Sequence, residues 1–187
     1  MGRVKTRLGR DIGVLPATRF YRHTLTTVLN RLAPKGRWRC WLALSPDSAV
    51  ARHRFWPKSF HPIKQGAGDI GQRMQKAMRV MPPGPVVIIG TDVPQISATH
   101  IEAAFEALGH VDVVFGPAVD GGYWLVGARR SPRIPDLFSG VRWSSRQTLA
   151  DSLEKVRKGG LKVALLETLE DVDDGAAYIK NAGNKRN

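Results

Sequence analysis

Three short acidic segments carry most of the chemistry this sequence offers. "PVVIIG" runs into "TDVP", placing Asp92 just past a β-branched apolar run. "DVVFG" runs into "PAVDGGY", placing Asp120 beside Gly121 and Gly122. "LKVALLETL" runs into "EDVDD", placing Asp171 and Asp173 past a third such run. Ligands of open parallel sheets bind beyond the carboxyl ends of strands, and these acids stand at such ends. Carboxylates gathered there suit Mg2+ or Mn2+, which takes oxygen ligands from one or two carboxylates and from substrate phosphates. Cation and nearby Lys or Arg would stabilise charge on a phosphate leaving group or a transferred phosphoryl. Gly121 and Gly122 let a ligand approach the backbone closely.

The basic counterpart lies at the front of the chain. Net charge is +13, and residues 1–64 hold nearly all of it, with 14 Lys and Arg against only Asp11 and Asp47. That asymmetry favours a polyanionic partner: nucleic acid, an acidic membrane surface or a phosphorylated small molecule. Its densest part is "MGRVKTRLGRD", with Arg3, Lys5, Arg7 and Arg10. Gly2, Gly9 and Gly13 are expected to break an amphipathic helix there, leaving a loop. Cys40 is the single cysteine, so no internal disulfide forms, and its place in "WRCWLAL" reads as a buried structural thiol. No CxxC or HExxH motif occurs, and the five histidines are scattered. No apolar run approaches the ~20 residues that span a bilayer, and the start lacks a secretory apolar stretch. The expectation is a cytoplasmic protein of bacterial type.

Positioning these residues requires alternating strands and helices. "VLPATRFYRHTLTTVLNRLA" has helical apolar spacing, and "RWRCWLALS" reads as a strand. Phe55 to Gly68 reads as a loop, "GDIGQRMQKAMRVM" as an amphipathic helix, and "PVVIIG" as a buried, parallel strand. "THIEAAFEALG" is a helix with Thr99 and Glu102 in capping-box spacing; "SSRQTLADSLEKVRKGG" is another, with Ser144 and Gln147 so spaced. "DVVFG", "YWLVGAR" and "LKVALLETL" are strands, and a short helix follows "EDVDD". The expected fold is a three-layer α/β/α sandwich around a mixed, mainly parallel sheet. One domain over 1–180 is expected, with a disordered tail over 181–187.

Taken in order, "GRVKTRL", "GDIGQRM", "GTDVP", "FGPAVDGGYWLVG", "VRWSS" and "LEDVDD" closely resemble the bacterial glycosyltransferase-like family of radical-SAM/selenodomain-associated transferases. That family groups with the nucleotide-diphospho-sugar transferases of Rossmann-like GT-A fold, and its relatives include guanylyltransferases. The resemblance covers about Gly2 to Asp174. It implies a metal-dependent transferase using a nucleotide-activated donor, with glycosyl transfer from a nucleotide sugar preferred and nucleotidyl transfer from a nucleoside triphosphate as the alternative. It places Gly2, Arg3, Lys5, Thr6 and Arg7 on a phosphate-facing loop. It makes Asp92 and Asp173 metal ligands for Mg2+ or Mn2+. Asp120, Gly121, Gly122 and Tyr123 would line the donor or acceptor pocket, Asp120 orienting an acceptor hydroxyl. Trp143 and Ser144 match the family's Trp-Ser pair. Asp69 and Arg73 fall on a motif near the nucleotide, though helix capping and a solvated helix face would explain them equally well.

The chain departs from the family in two places. "DVDDGAAYI" stands where the family reads "DVDTPEDL". At the front, the family carries an apolar strand and a short turn ahead of "GRVKTRL", whereas here Met1 stands in that turn. Without that strand, its neighbours in a Rossmann-like sheet would have unpaired backbone groups. Two readings of another class remain: a basic nucleic-acid-binding protein using Trp38, Trp41, Phe55, Trp56 and Phe60 as stacking platforms, and an inactive relative. No nucleic-acid-binding motif occurs, so nucleic acid is not the expected partner.

Overall fold

The computed structural model describes residues 5–33, 37–130 and 133–183. Two helices come first, α1 (Thr6–Ile12) and α2 (Val14–Leu32), bent apart at Gly13, whose φ of 90° a side chain would resist. The expected loop at Thr6 to Ile12 is therefore a helix. Gly9 sits within it, where a Cβ would meet Ala17 of α2 only at ordinary contact distance, and the packing of α1 on α2 overrides its low propensity.

Strand β1 (Cys40–Leu44) pairs in parallel with β2 (Phe60–Lys64), joined through a 3-10 helix (Asp47–Phe55). β2 falls where the sequence suggested a loop. Its Pro62 lacks a donor, which an edge strand with one partner tolerates. Then follow α3 (Ile70–Val80), β3 (Val86–Ile89), α4 (Ala98–Ala107), β4 (Val113–Pro117), β5 (Tyr123–Ala128), α5 (Thr148–Lys158), β6 (Val163–Leu165) and α6 (Gly175–Gly183). Residues 181–183 thus belong to α6, while 184–187 lie outside the described residues.

The second sheet has the order β3-β5-β4-β6. β5 runs antiparallel to both β3 and β4, and β4 runs parallel to β6. The fold is mixed α/β as expected, but "PVVIIG" is not a parallel strand. Its apolar residues on both faces reflect cover by α3 on one side and α4 on the other, which says nothing of strand direction. Helices cover both faces of this sheet. Met78 of α3 and Val156 of α5 pack on Val113, Phe115 and Val126. Val28 and Leu32 of α2, with Ile101 and Ala104 of α4, pack on Val114 and Leu125. Full burial of one such Val or Leu side chain stabilises by about 1.5–3 kcal/mol.

Two caps differ from expectation. Ser97 caps α4 with His100 as its reciprocal partner, because the helix starts earlier than Thr99. Gln147 precedes α5 without a side-chain cap, and Ser144 lies outside the helix. Among the described residues no ladder joins β1–β2 to β3–β6. A cleft of 1350 Å³ runs between the two sheets and continues to the carboxyl end of β3.

Candidate functional site

The acids meet at that end of the cleft. β3 finishes at Ile89, Gly90 N donates to Trp124 O at 2.9 Å, and the chain turns to present Asp92. Val172 N donates to Asp92 O at 3.5 Å, so the "TDVP" and "EDVDD" segments lie side by side. Val93 and Val172 are each 1% exposed and anchor both segments in the core. In extended backbone, residues two apart share a face, so anchoring Val172 inward turns Asp171 and Asp173 the other way, toward Asp92. One carboxylate oxygen from each of Asp92, Asp171 and Asp173 lies within 4.8 Å of the other two.

Lys5 completes the cluster from the front of the chain. Its Nζ lies 3.2 Å from Asp92 Oδ2 and also donates to Asp173 Oδ1, with the side chain 8% exposed. Burial pulls the Lys5 pKa down, but the charges and hydrogen bonds of Asp92 and Asp173 outweigh it, and the net shift is upward. Asp171 moves the other way from an ordinary carboxylate. Burial first, then the charges of Asp173, Asp120 and Asp92, push it up to about 6 against the pull of Lys5. One ammonium among three carboxylates leaves an excess of negative charge.

That donor set fits a hard divalent cation. All three groups offer carboxylate oxygen, and their charge exceeds what Lys5 neutralises. Ligands about 2.0–2.1 Å from Mg2+ lie up to about 4.2 Å apart across the ion, so small side-chain rotations would close the set. Sequence reasoning placed Asp171 at a strand end but did not select it as a ligand. The signal was present in the i, i+2 spacing of Asp171 and Asp173.

Asp120 stands on the connection between β4 and β5, and its Oδ1 accepts from Gly122 N at 2.8 Å. Gly121 has φ +89, and a Cβ there would sit 2.3 Å from the Arg146 carbonyl oxygen. Leu149 N donates back to Gly121 O at 3.0 Å, so the Gly-Gly turn is clamped to the start of α5. Trp143 seats its ring on Gly71, where a Cβ would meet Cζ2 at 2.3 Å, and it packs against Tyr123 and Phe138. Burial pushes the Tyr123 phenol well above its ordinary range.

Lys5, Thr6, Arg7, Arg73, Asp92, Asp120, Gly122, Tyr123, Trp143, Ser144, Asp171 and Asp173 all line the one cleft. Lys5 (φ 50°) and Ser144 (φ 55°) are the non-glycine residues with positive φ among the described residues, and both line it. Such backbone strain gathers at functional sites. Gly121 shapes the wall from behind. Asp69 does not reach the cleft: its carboxylate accepts from Gln72 N at 2.8 Å as the cap of α3. Arg73 reaches the cleft edge while bonding Gly68 O at 2.8 Å and Gln65 Oε1 at 3.0 Å. Gly2 and Arg3 lie outside the described residues. Cys40 is half-buried, with burial pushing its thiol up, which argues against a nucleophile. No described helix is long and apolar enough to cross a membrane.

The fold is a mixed α/β one shared with solved transferase structures. Within it, residues 28–145 match the family described as "Uncharacterized protein conserved in bacteria (DUF2064)", and the chain belongs to that family. A crystal structure from Desulfovibrio desulfuricans G20, of a protein assigned as a nucleotide-diphospho-sugar transferase, is 32% identical. It superposes with a TM-score of 0.79 over 92% of this chain and 77% of that one. The 4-diphosphocytidyl-2C-methyl-D-erythritol synthase of Anaerococcus prevotii DSM 20548 shares the fold at 10% identity, TM-score 0.60, over 87% and 86% of the two chains. In sequence, the 2-phospho-L-lactate guanylyltransferase of Methanopyrus kandleri is 31% identical over 97 residues, 50% of this chain. The matched stretch is about half the length of that curated relative, 48%.

Proposed function

We propose that the chain is a metal-dependent transferase acting on a nucleotide-diphospho-sugar, moving the glycosyl group to an acceptor hydroxyl. The observation that carries this reading is the meeting of Asp92, Asp171 and Asp173 with Lys5 at the carboxyl end of β3, inside a cleft large enough for a nucleotide. The likeness to the Desulfovibrio protein supports the donor class.

Asp92, Asp171 and Asp173 would hold Mg2+ or Mn2+, which when bound supplies charge neutralisation at the donor diphosphate. Lys5 and Arg7 bind the same phosphates from the other wall, and Lys5 exchanges its carboxylate partners for phosphate oxygen as the donor enters. Asp120, on its clamped turn, orients the acceptor hydroxyl. The hydroxyl oxygen bonds to the anomeric carbon, the bond from that carbon to the diphosphate breaks, and the electron pair leaves with the nucleoside diphosphate. The hydroxyl proton passes to Asp120 or to water.

The guanylyltransferase relative favours a second reading, nucleotidyl transfer from a nucleoside triphosphate with pyrophosphate as the leaving group. One experiment tests both. The chain and Asp92→Ala are melted with UDP, GDP, CDP, dTDP and ADP, their sugars and the triphosphates, with and without Mn2+. A ligand at about 100 times its Kd adds ~2.7 kcal/mol to stability. The expected result is a Mn2+-dependent rise with one base, greatest with its sugar and absent in Asp92→Ala. A rise with the triphosphate alone, with pyrophosphate released on turnover, selects the second reading. A melt indifferent to every nucleotide overturns both.

A further inference from the structure

The corner where α1 meets α2 combines features that the transferase chemistry leaves unused. Gly13 bends the chain there. The first residues of α2, Val14 and Leu15, are 54% and 65% exposed, and Pro16 beside them is exposed too. Single exposed apolar residues are ordinary, but three in a row at one bend leave apolar surface that neither helix covers. The polar surroundings are of one sign. α2 carries Arg19, Arg22 and Arg31 and no acid over Val14–Leu32. A helix turns about 100° per residue, so Leu15, Arg19, Arg22 and Thr26 form one stripe, and all four are exposed. α1 adds Arg10 in its last turn, next to the bend. Its one acid, Asp11, already accepts from Gly175 N at 2.8 Å. Arg10, Arg19 and Arg22 pair with no carboxylate among the described residues. Such a face attracts a polyanion, and its apolar tip discriminates between polyanions. Nucleic acid stacks its bases on aromatic side chains, which this stripe lacks. A bilayer surface uses both halves: anionic headgroups attract arginine, and the acyl boundary accepts aliphatic side chains.

We propose that the α1–α2 corner is a docking site for an anionic lipid bilayer. Val14 and Leu15 enter the boundary between headgroups and acyl chains, while Arg10, Arg19 and Arg22 meet lipid phosphates. Docking is peripheral and reversible, because a few aliphatic side chains and charges hold a chain at a surface without anchoring it. Arg7 and Tyr21 of the same two helices line the cleft, so the docked chain carries its cleft close to the headgroups. Docking at this corner does not depend on the carboxylate cluster or on what binds there.

The test is co-sedimentation of the chain with vesicles of phosphatidylcholine, alone or mixed with phosphatidylglycerol. The expected result is binding to the mixed vesicles that weakens with salt, and little binding to phosphatidylcholine alone. Each basic residue near such a surface contributes a factor of about five, so Arg19→Gln with Arg22→Gln should weaken binding about thirtyfold. Arg79→Gln with Arg157→Gln removes the same charge from α3 and α5, which cover the opposite face of the second sheet from α2. That pair should change binding less than about twofold. Leu15→Ser should weaken it about tenfold at low and at high salt alike. All five positions are exposed, so the variants should keep the parent's Tm. No binding to the mixed vesicles, equal loss in the two double variants, or indifference to Leu15→Ser overturns the proposal. So does binding of an RNA or DNA oligonucleotide through Arg19 and Arg22 without vesicle binding, which would make nucleic acid the partner. A dimer in sedimentation velocity that Leu15→Ser dissolves also overturns it and makes a second copy the occupant.

Discussion

The front third of the molecule and the rest are held in different ways. From α3 onward, four strands share backbone ladders and lie between helices, with Val113, Val114, Phe115 and Ala128 fully buried. The front, α1 through β2, meets that body through apolar packing of α2 and through side chains reaching across. Arg31 donates to Pro94 O at 2.6 Å, Arg37 pairs with Glu102, Asp11 accepts from Gly175 N at 2.8 Å, and Lys5 reaches Asp92 and Asp173. The front carries a net +12 and the rest about neutral charge. The acidic half of the site is thus built into a continuous sheet, while the basic half arrives on a separately tethered unit. Charge attraction across the cleft positions Lys5, where backbone pairing positions Asp92.

Breaking the rigid side should have the largest effect. Gly121→Val puts a branched Cβ within 2.3 Å of the Arg146 carbonyl oxygen at a φ of +89. Left-handed strain and overpacking each cost about 1–3 kcal/mol. A stability loss of about 2–5 kcal/mol is expected in urea unfolding, together with loss of any nucleotide-induced rise in Tm. A variant as stable as the parent would mean that the turn is not clamped as described. The tethered side should yield differently. Arg31→Met removes hydrogen bonds from a charged donor to Pro94 O and Ile96 O, each such bond being worth about 1.5–3 kcal/mol. Hydrogen exchange should quicken in β1 and β2 before it does in β4 and β5. Equal quickening in both sheets would contradict the comparison.

The same division explains what the sequence made legible. Asp92, Asp120 and Asp173 were readable because each follows an apolar run and strand ends are where such sites form. The alternation of helices and strands was readable from apolar spacing. The direction of β3 was not, since burial on both faces is indifferent to whether the neighbour runs parallel. β2 was hidden by Pro62, and α1 by Gly9, because packing overrides these local preferences, against β1 for the one and against α2 for the other. Asp69 showed the converse: a motif position whose carboxylate is consumed locally by the cap of α3. Asp171 was legible only through its i, i+2 spacing from Asp173; its turn toward Asp92 follows from the burial of Val172 between them.

Lys5→Met probes the contact between the two units directly. On the proposed reading, Lys5 would compete with a divalent cation for the carboxylates, and phosphate would compete with the carboxylates for Lys5. The variant should bind Mn2+ alone more tightly and the nucleoside diphosphate more weakly, each by about tenfold, which corresponds to ~1.4 kcal/mol. Titration calorimetry of the two ligands separately would check this. Parallel loss of both affinities would show that Lys5 holds the fold together rather than the substrate.

The smallest effect should come from surface ions on the rigid side. Burial pushes the Asp136 carboxyl up, but the hydroxyl and backbone N–H of Ser139, Lys155 and the backbone N–H of Phe138 outweigh it, and the pKa falls to about 2. A depressed carboxylate contributes stability that is present above its unfolded value, about 3.9, and lost as pH falls toward 2. Lys155→Met should therefore raise the Asp136 pKa and flatten the fall in Tm between about pH 4 and 2. Asp136 is 49% exposed on its side chain, so solvent screening keeps the effect under about 1 kcal/mol. A loss at neutral pH well above about 1 kcal/mol would mean that this half leans on surface charge as the front does, and the contrast between ladder-built and tethered regions would fail.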